Sequence, residues 1–272
     1  MLEEGTGPLA LCLHGFPDTA HTWRYLLPAL SNTGFRAVAP FMRGYAPTSL
    51  PADGCFELGA LVADAAALHD VLGADESAVL IGHDWGAEAA YGACAFAPER
   101  WRRLVTLAIP PLSLDAQMFA DYEQLKRFFY HFFLACSPDA QATVAADNMA
   151  FLDHLWADWS PGYDATVDLR HVKRSLSDPA RLKAAIDYYR APRAPSACMY
   201  REEQEALDRQ PQQPTLFLYG TNDGCVGAEF SRLASHELAP SSQVIEIDSS
   251  GHFPHLEAPD EVNQAIIAWV AQ

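Results

Sequence analysis

The chain has 272 residues, half of them hydrophobic, and a formal net charge of −17 at pH 7. This length and composition are typical of a globular protein with one catalytic domain that carries an insertion. The acidic excess, which no local cluster of lysine and arginine offsets, argues against nucleic acid and anionic membranes as partners.

Cysteine usage and the N-terminal segment predict a cytoplasmic protein. No C-x-x-C pair occurs and several cysteines lie in apolar runs, so we expect reduced core residues at Cys12, Cys55, Cys94, Cys136, Cys198 and Cys225. The first residues have no basic segment, and their apolar stretch is too short for a signal sequence or a membrane span. A soluble, cytoplasmic location is therefore expected.

Short apolar runs alternate with helical patterns along the chain, which indicates a mainly parallel sheet flanked by helices. The predicted strands are 9–13, 35–39, 78–81, 104–108, 215–219 and 244–247. Apolar residues at helical spacing predict a core-packing helix from Leu58 to Leu72, and a closing helix covers 259–270. The fold class is therefore α/β.

An all-helical insertion interrupts this alternation. The alternation of strands and helices stops after Pro110-Pro111 and resumes near Pro211. The residues between these points carry helical periodicity and aromatic side chains. Asp178 and Pro179 predict the start of a helix over 180–190. We assign residues 1–114 and 192–272 to a core domain and residues 115–191 to a helical lid, with prolines at 192 and 195 marking its end.

The segment Gly82-His83-Asp84-Trp85-Gly86 has the pattern of a nucleophile elbow. It joins the predicted strand 78–81 to a helical pattern, with glycines two residues before and after Asp84. This is the spacing of G-x-S-x-G, in which a strained turn presents the central side chain. Asp84 could instead cap the helix, since aspartate favours that position. Its partners, described below, favour the nucleophile.

Aspartate in place of serine changes the reaction. A carboxylate with a reference pKa of about 3.9 is already ionised at neutral pH and needs no base to activate it. Its attack on an ester would mostly reverse, because the adduct expels a carboxylate more readily than a basic alkoxide. Attack on a saturated carbon displaces an epoxide oxygen or a halide and leaves an alkyl-enzyme ester, which a histidine-activated water can hydrolyse.

His252 lies between the last predicted strand and the closing helix, where a base would face Asp84. His255 competes with it on composition, but His255 is farther from the strand end, and we expect it to pack or cap. Two histidines three residues apart could also bind a metal, but no acidic or cysteine ligands accompany them in the sequence. We therefore expect no metal and no cofactor.

Two further loops complete the candidate site. Asp223 follows the predicted strand 215–219, at the sheet edge where open α/β folds place their sites, and can orient His252. An ordinary turn is the alternative, but the order nucleophile, acid, histidine is that of hydrolases. After the first predicted strand, the Phe16 N–H can join that of Trp85 in an oxyanion hole, and the Phe16–Pro17 bond could be cis.

Together these segments resemble the α/β-hydrolase-fold epoxide hydrolases over nearly the whole chain. The motifs are His14-Gly15-Phe16-Pro17, Trp23-Arg24, Arg43-Gly44-Tyr45, Gly82-His83-Asp84-Trp85-Gly86, Pro98-Glu99-Arg100, Ile186-Asp187-Tyr188-Tyr189-Arg190 and Gly251-His252-Phe253. The resemblance implies an α/β-hydrolase fold with a helical lid. It also implies hydrolysis of an epoxide to a vicinal diol, through an ester on Asp84.

The leaving group suggests further residues. A ring-opened epoxide leaves as a basic alkoxide that needs a proton donor, and epoxide hydrolases similar to this chain supply two lid tyrosines. By resemblance these are Tyr130 and Tyr189, although both could simply pack in the lid. We expect contacts to a small apolar substrate from His14, Trp85, His131 and Phe132.

Several residues depart from related patterns. Tyr130-His131 also resembles the lid of fluoroacetate dehalogenases, but Phe132 stands where those enzymes carry a halide-binding tryptophan. Trp85 and Glu88 stand where they place arginines for a carboxylate, which argues against haloacids. The leading strands usual in this fold are expected to be absent.

Two other functions remain open. A haloalkane dehalogenase would use the same Asp84, with the Trp85 indole N–H holding the halide. A ligand-binding protein without turnover would keep the fold alone, but the set of Asp84, Asp223 and His252 argues against it. A serine esterase is disfavoured because no G-x-S-x-G occurs in the chain. The oligomeric state is left open.

Overall fold

One mainly parallel sheet organises the chain. In the computed structural model, which describes residues 1–191 and 199–272, its strands are β1 (Leu2–Glu4), β2 (Leu9–Leu13), β3 (Arg36–Ala39), β4 (Val79–His83), β5 (Arg103–Leu107), β6 (Thr215–Gly220) and β7 (Gln243–Ile247). They pair in the order β1-β3-β2-β4-β5-β6-β7. Only β1 among these strands runs antiparallel to its neighbour. The carboxyl ends of the parallel strands therefore share one edge, where such sheets carry their sites.

Helices fill the connections between the strands. They are α1 (Leu26–Asn32), α2 (Leu58–Val71), α3 (Trp85–Phe96), α4 (Asp115–Met118), α5 (Tyr122–Arg127), α6 (Phe129–Cys136), α7 (Ala140–Trp159), α8 (Thr166–Ser175), α9 (Pro179–Arg190), α10 (Arg201–Ala206), α11 (Ala228–Ser231), α12 (Pro254–Glu257) and α13 (Pro259–Val270). Helices α2, α3 and α10 pack on one another, and α1 packs against α13. None of the helices in the described ranges has the length and apolar character that a membrane span requires.

The predicted alternation of strands and helices is confirmed. Each predicted strand is present with its ends shifted by two residues at most, and β2, β4 and β6 are buried along their whole length. Parallel strands that are buried on both faces have continuous apolar sequences, so these strands could be predicted from the sequence. Helix α9 starts as predicted, because the Asp178 side chain accepts a hydrogen bond from the Ala180 N–H at 2.7 Å.

The expectation that no strand precedes β2 is wrong. Residues Leu2–Glu4 form β1, in which Leu2 lies opposite Ala39 of β3. This strand is short and its two glutamates are exposed, so it carries no apolar pattern for sequence reasoning to detect. Backbone pairing alone places it, and it covers the edge of β3.

The residues between β5 and β6 are helical, as predicted. Within the described parts of this stretch, 108–191 and 199–214, no strand is present. Helix α7 is kinked over residues 146–149, where the backbone leaves the helical region. The prolines at 192 and 195, which mark the predicted end of the lid, lie outside the described residues.

The cysteines only partly match the expectation of six reduced core residues. Cys12, Cys94 and Cys225 are free and buried, whereas Cys136 is free but exposed. Cys55 is disulfide-bonded, so the expectation is wrong for this residue, because the spacing of cysteines along a chain does not determine which of them are paired. Cys198 lies outside the described residues.

Candidate active site

Asp84 occupies the turn between β4 and α3. Its φ of 52° and ψ of −126° lie in a region that residues other than glycine rarely adopt. The chain can turn here because a Cβ atom on Gly86 would overlap the Leu13 carbonyl oxygen, and one on Gly15 would overlap the Asp84 carboxylate. Glycine at both positions therefore lets helix α3 and the loop after β2 approach Asp84 closely.

The Asp84 carboxylate is buried and points away from the helix that follows it. Its side chain makes no capping hydrogen bond to α3, in contrast to the capping alternative. Instead Oδ1 accepts a hydrogen bond from the Phe16 N–H at 2.7 Å, and Oδ2 lies 3.6 Å from His252 Nε2. Among the described residues, the Trp85 N–H makes no bond to this carboxylate. The two oxygens therefore have different surroundings.

His252 and Asp223 form a directly bonded pair. His252 Nδ1 lies 2.9 Å from Asp223 Oδ2, and Asp223 Oδ1 accepts hydrogen bonds from the N–H groups of Cys225 and Val226 at 2.7 and 3.0 Å. Because an ionised carboxylate only accepts, Nδ1 carries a proton in this pair whether the ring is neutral or charged. Nε2 consequently faces Asp84.

The charges of the three groups are coupled. Burial alone would lower the pKa of His252, but the interactions with Asp223 and Asp84 outweigh this effect. The net result is a pKa raised from 6.5 to about 10. Burial raises the pKa of Asp84, yet its interaction with His252 brings the net value below the usual range. The resting site thus holds an imidazolium between two carboxylates, and neutralising Asp84 would remove one of the charges that keep the ring protonated.

Glu257 fixes the loop that carries His252, a role that the sequence analysis missed. Its carboxylate accepts hydrogen bonds from the N–H groups of Gly251 and Phe253, at 2.8 and 3.1 Å, and from the Ser160 hydroxyl at 2.6 Å. The Ser160 Oγ in turn accepts from the His252 N–H at 3.0 Å. A glutamate six residues after Gly251 has no local pattern that marks this role, so the sequence carries no signal for it.

The C-terminal end of α7 touches three loops of the site. Its bonds run from Gly224 N and His252 N to the Trp159 carbonyl oxygen, at 3.1 and 3.0 Å, and from Trp156 Nε1 to the Pro17 carbonyl oxygen, at 3.0 Å. The Trp156 ring also stacks on Phe253 with centroids 3.7 Å apart. The inserted helices therefore help to set the relative positions of the loops that carry Asp223, His252 and Pro17.

A cavity of about 710 Å³ opens on Asp84. Of the side chains proposed from the sequence, it is lined by Asp84, Trp85, Tyr130, His131 and Tyr189. Apolar side chains form much of the remaining wall, and they are Leu58, Ile109, Leu112, Met118, Phe119, Phe128, Leu207 and Val226. The chamber is large enough for a small organic substrate.

Tyr130 and Tyr189 lie together on the cavity wall. Both are buried, and their ring centroids are 5.8 Å apart. The Tyr130 hydroxyl lies 3.2 Å from Cys225 Sγ, and the Tyr189 ring packs against Trp85 and Phe16. Burial holds the pKa of both phenols well above 10, so both keep their protons at neutral pH.

Comparison with known proteins identifies the family. Residues 8–259 match the family model described as "alpha/beta hydrolase fold". The chain belongs to this family. The hydrolase is similar to an epoxide hydrolase of Caballeronia sordidicola, with 29% identity covering 98% of this chain and 89% of that protein. Epoxide hydrolase A of Mycobacterium tuberculosis is 27% identical, covering 98% and 91%.

Solved structures agree with this assignment. The crystal structure of a Bacillus megaterium epoxide hydrolase in complex with an inhibitor is 26% identical to this hydrolase and superposes with a TM-score of 0.81. It covers all of this chain and 96% of that one. The resemblance to epoxide hydrolases that the sequence motifs suggested is confirmed.

Two predicted substrate contacts of this hydrolase are not among the described residues that line the cavity. His14 is fully buried, its Nδ1 donates to the Gly15 carbonyl oxygen at 2.9 Å, and its Nε2 accepts from the Met42 N–H at 3.0 Å. Both ring nitrogens therefore bond to backbone groups, one in the loop after β2 and one in the loop after β3. Phe132 is 39% exposed on α6, and the helix turns it away from the chamber.

The cavity of the hydrolase also contains acidic side chains that the expectation of an apolar pocket did not include. They are Glu57, Glu88, Asp115 and Asp208. Burial and the charges of Asp115 and Asp84 raise the pKa of Glu88 well above its usual range, and burial raises that of Asp115 to about 7. At neutral pH the pair of Glu88 and Asp115 therefore retains protons and can donate hydrogen bonds into the cavity.

Proposed function

We propose that this α/β hydrolase opens an epoxide to a vicinal diol through a covalent ester on Asp84. The observation that carries the proposal is the geometry of the Asp84 carboxylate, with one oxygen held by a backbone N–H and the other facing His252. The names of its relatives, which are epoxide hydrolases, support the substrate class. Residues 115–191 would act as the lid over the reacting atoms.

In the first step, Asp84 Oδ2 attacks an epoxide carbon, and the bond from that carbon to the ring oxygen breaks. The alkoxide that forms takes a proton from Tyr130 or Tyr189, whose hydroxyls share the chamber with Asp84. Oδ1 becomes the carbonyl oxygen of the ester and keeps its hydrogen bond from the Phe16 N–H. No base is needed, because the attacking group is already an anion.

In the second step, His252 becomes a base because alkylation has removed the charge of Asp84. The loss of that charge lowers the pKa of His252, and the released proton restores the tyrosine phenol. Nε2 then takes a proton from a water molecule that attacks the ester carbon, while the N–H groups of Phe16 and Trp85 stabilise the oxyanion. Collapse of the adduct breaks the bond between the Asp84 carbonyl carbon and the substrate oxygen, and the leaving alkoxide takes the proton from His252 Nε2 to give the diol. The proton left on the Asp84 carboxyl then passes to Nε2, which restores the carboxylate and the imidazolium.

Mass spectrometry of His252→Gln tests this scheme. The variant keeps Asp84 free to react but lacks the base, so incubation with a styrene-oxide-like epoxide should add one substrate mass to the peptide that contains Asp84. Asp84→Asn is the matched control and should gain no mass. Absence of the adduct with an epoxide that the wild-type enzyme hydrolyses would refute the two-step mechanism, as would an adduct on another residue.

A haloalkane dehalogenase is the second candidate, favoured by the position of the Trp85 ring on the cavity wall beside Asp84. Halide needs no proton donor, so Tyr130→Phe combined with Tyr189→Phe should abolish epoxide opening and spare halide release. A panel of epoxides and short haloalkanes, scored for diol and for halide, separates the two functions. Halide release without any diol would replace the epoxide assignment.

A further inference from the structure

A second cluster of buried polar side chains lies behind the catalytic residues. Asp18, His83 and His255 are at most 2% exposed, and one potential ligand atom of each lies within 4.8 Å of those of the other two. The sequence alone gave His255 no acidic companion, because Asp18 is far away along the chain and only the fold brings it near.

Each of these side chains has an atom without a hydrogen-bond partner among the described residues: Asp18 Oδ2, His83 Nδ1 and His255 Nδ1. The second ring nitrogen of His83, Nε2, lies 2.8 Å from the His252 carbonyl oxygen. A carbonyl oxygen only accepts, so Nε2 carries the ring proton. In the neutral ring, Nδ1 then carries a bare lone pair.

The same reasoning applies to His255. Its Nε2 lies 2.5 Å from Thr22 Oγ1. When Nε2 donates to this hydroxyl oxygen, Nδ1 is the unprotonated nitrogen of the neutral ring. Nδ1 of His255 is then a second bare lone pair. Burial raises the pKa of Asp18 to about 8, so a bound cation would displace the proton of this carboxyl. The three side chains, each with a partnerless atom among the described residues, lie close together in a low-dielectric interior, where one cation could satisfy all three.

We propose that Asp18, His83 and His255 form a binding site for one Zn²⁺ ion. Two neutral imidazoles and a carboxylate are ligands that this ion prefers. The His252 carbonyl and the Thr22 hydroxyl fix the opposite ring nitrogens, as outer partners do in metal sites. Tetrahedral zinc ligands lie roughly 3.4 Å apart, so binding would close separations that reach up to 4.8 Å in the structure.

The location of the site gives the ion a structural role. Asp18 follows Phe16 by two residues, His83 directly precedes Asp84, and His255 belongs to the loop of His252. A bound ion would link the segments that carry the oxyanion donor, the nucleophile and the base. It would not touch the substrate, because none of its three ligands lines the cavity among the described residues.

Calorimetry of the chelator-treated protein with ZnCl₂ tests the site. One equivalent should bind, and zinc at a hundred times its dissociation constant should raise the melting temperature by about 5–10 °C in a chain of this size. Asp18→Asn preserves the shape of the side chain and should weaken binding at least tenfold; His255→Gln should do the same. Circular dichroism verifies that each variant is folded.

Another cluster needs a control, because Asp223, Cys225 and His252 also lie within 4.8 Å of one another. Cys225→Ser removes its soft ligand and should leave zinc binding unchanged. The spectrum of the Co²⁺-substituted protein should show tetrahedral coordination without a thiolate charge-transfer band. Absence of a bound equivalent overturns the proposal, and so does binding that Cys225→Ser abolishes or that folded Asp18→Asn and His255→Gln both retain.

Discussion

The protonation of His252 depends on both of its carboxylate neighbours. Asp223 bonds to Nδ1, and Asp84 lies 3.6 Å from Nε2. With both charges present, the pKa of the ring is raised to about 10, so the resting enzyme holds a proton that a base must lose before it can act. The proposed ester on Asp84 would release that proton at the step that needs a base.

Asp84→Asn should mimic the charge of the ester intermediate and lower the pKa of His252 by more than one unit. The reason is that one of the two negative charges next to the ring is removed while the shape of the side chain is kept. NMR titration of the imidazole protons measures the shift. The Asp223→Asn variant is the control, and it should lower the pKa further because it also removes the direct hydrogen bond.

The raised pKa of His252 also makes the stability of the fold depend on pH. The folded-state pKa of about 10 exceeds the ordinary 6.5, so this ring stabilises the fold fully below pH 6.5 and loses that contribution as the pH rises through about 10. The free energy of unfolding of Asp84→Asn should consequently decline less over this interval than that of the wild type. An unchanged ring titration in the variant would contradict the coupling.

At the scale of elements, the turn from β4 to α3 could be predicted because strand, turn and helix are local patterns. The same holds for Asp223 and His252, which follow strands that the sequence reveals as apolar runs. Glu257 and the end of α7 could not be identified this way. The bonds of Glu257 to backbone groups span only four to six residues but depend on how the loop folds, and those of Trp156 and Trp159 reach groups that are distant in the chain. No spacing rule predicts either set of partners.

Removing the Trp156 ring should loosen three loops together. Trp156→Ala should lower the free energy of unfolding by about 3–5 kcal/mol, because the ring is buried and stacks on Phe253. It should also reduce kcat. Trp156→Phe keeps an aromatic ring but loses the bond to the Pro17 carbonyl oxygen, and should cost about 1 kcal/mol. Chemical denaturation and steady-state kinetics measure both effects.

Tyr122 provides the matched control on another inserted helix. Its ring is 72% exposed, so Tyr122→Ala should change the free energy of unfolding by no more than about 0.5 kcal/mol. If Trp156→Ala behaved like this control, the end of α7 would not be a determinant of loop position.

At the scale of the whole molecule, a net charge of −17 surrounds a cavity that also carries carboxylates. Long-range repulsion should slow the approach of anionic substrates, and attraction should favour cationic ones. Neutral substrates should be unaffected. This field belongs to the chain as a whole, so composition predicts it, whereas the position of Glu88 and Asp115 on the cavity wall emerges only from the fold.

Salt should therefore affect substrates according to their charge. Between low ionic strength and 0.5 M NaCl, kcat/KM for an amine-bearing epoxide should fall by roughly twofold to tenfold, and that for a carboxylated epoxide should rise, because screening shortens the reach of the field. Initial rates on three epoxides of matched size measure the effect, with the neutral one as the control. A salt effect of equal size and direction on all three would contradict this electrostatic origin.

The shared carbonyl of Trp159 has a practical consequence for engineering. Protein designers often change the selectivity of an enzyme by transplanting the segment that covers its pocket from a homologue. In this chain such a transplant would also replace the backbone oxygen that holds Gly224 and His252 in register, so a chimera could lose turnover for reasons unrelated to pocket shape. Exchanges that retain the native stretch from Trp156 to Ser160 should keep the loops of Asp223 and His252 in place and alter only what the chamber admits.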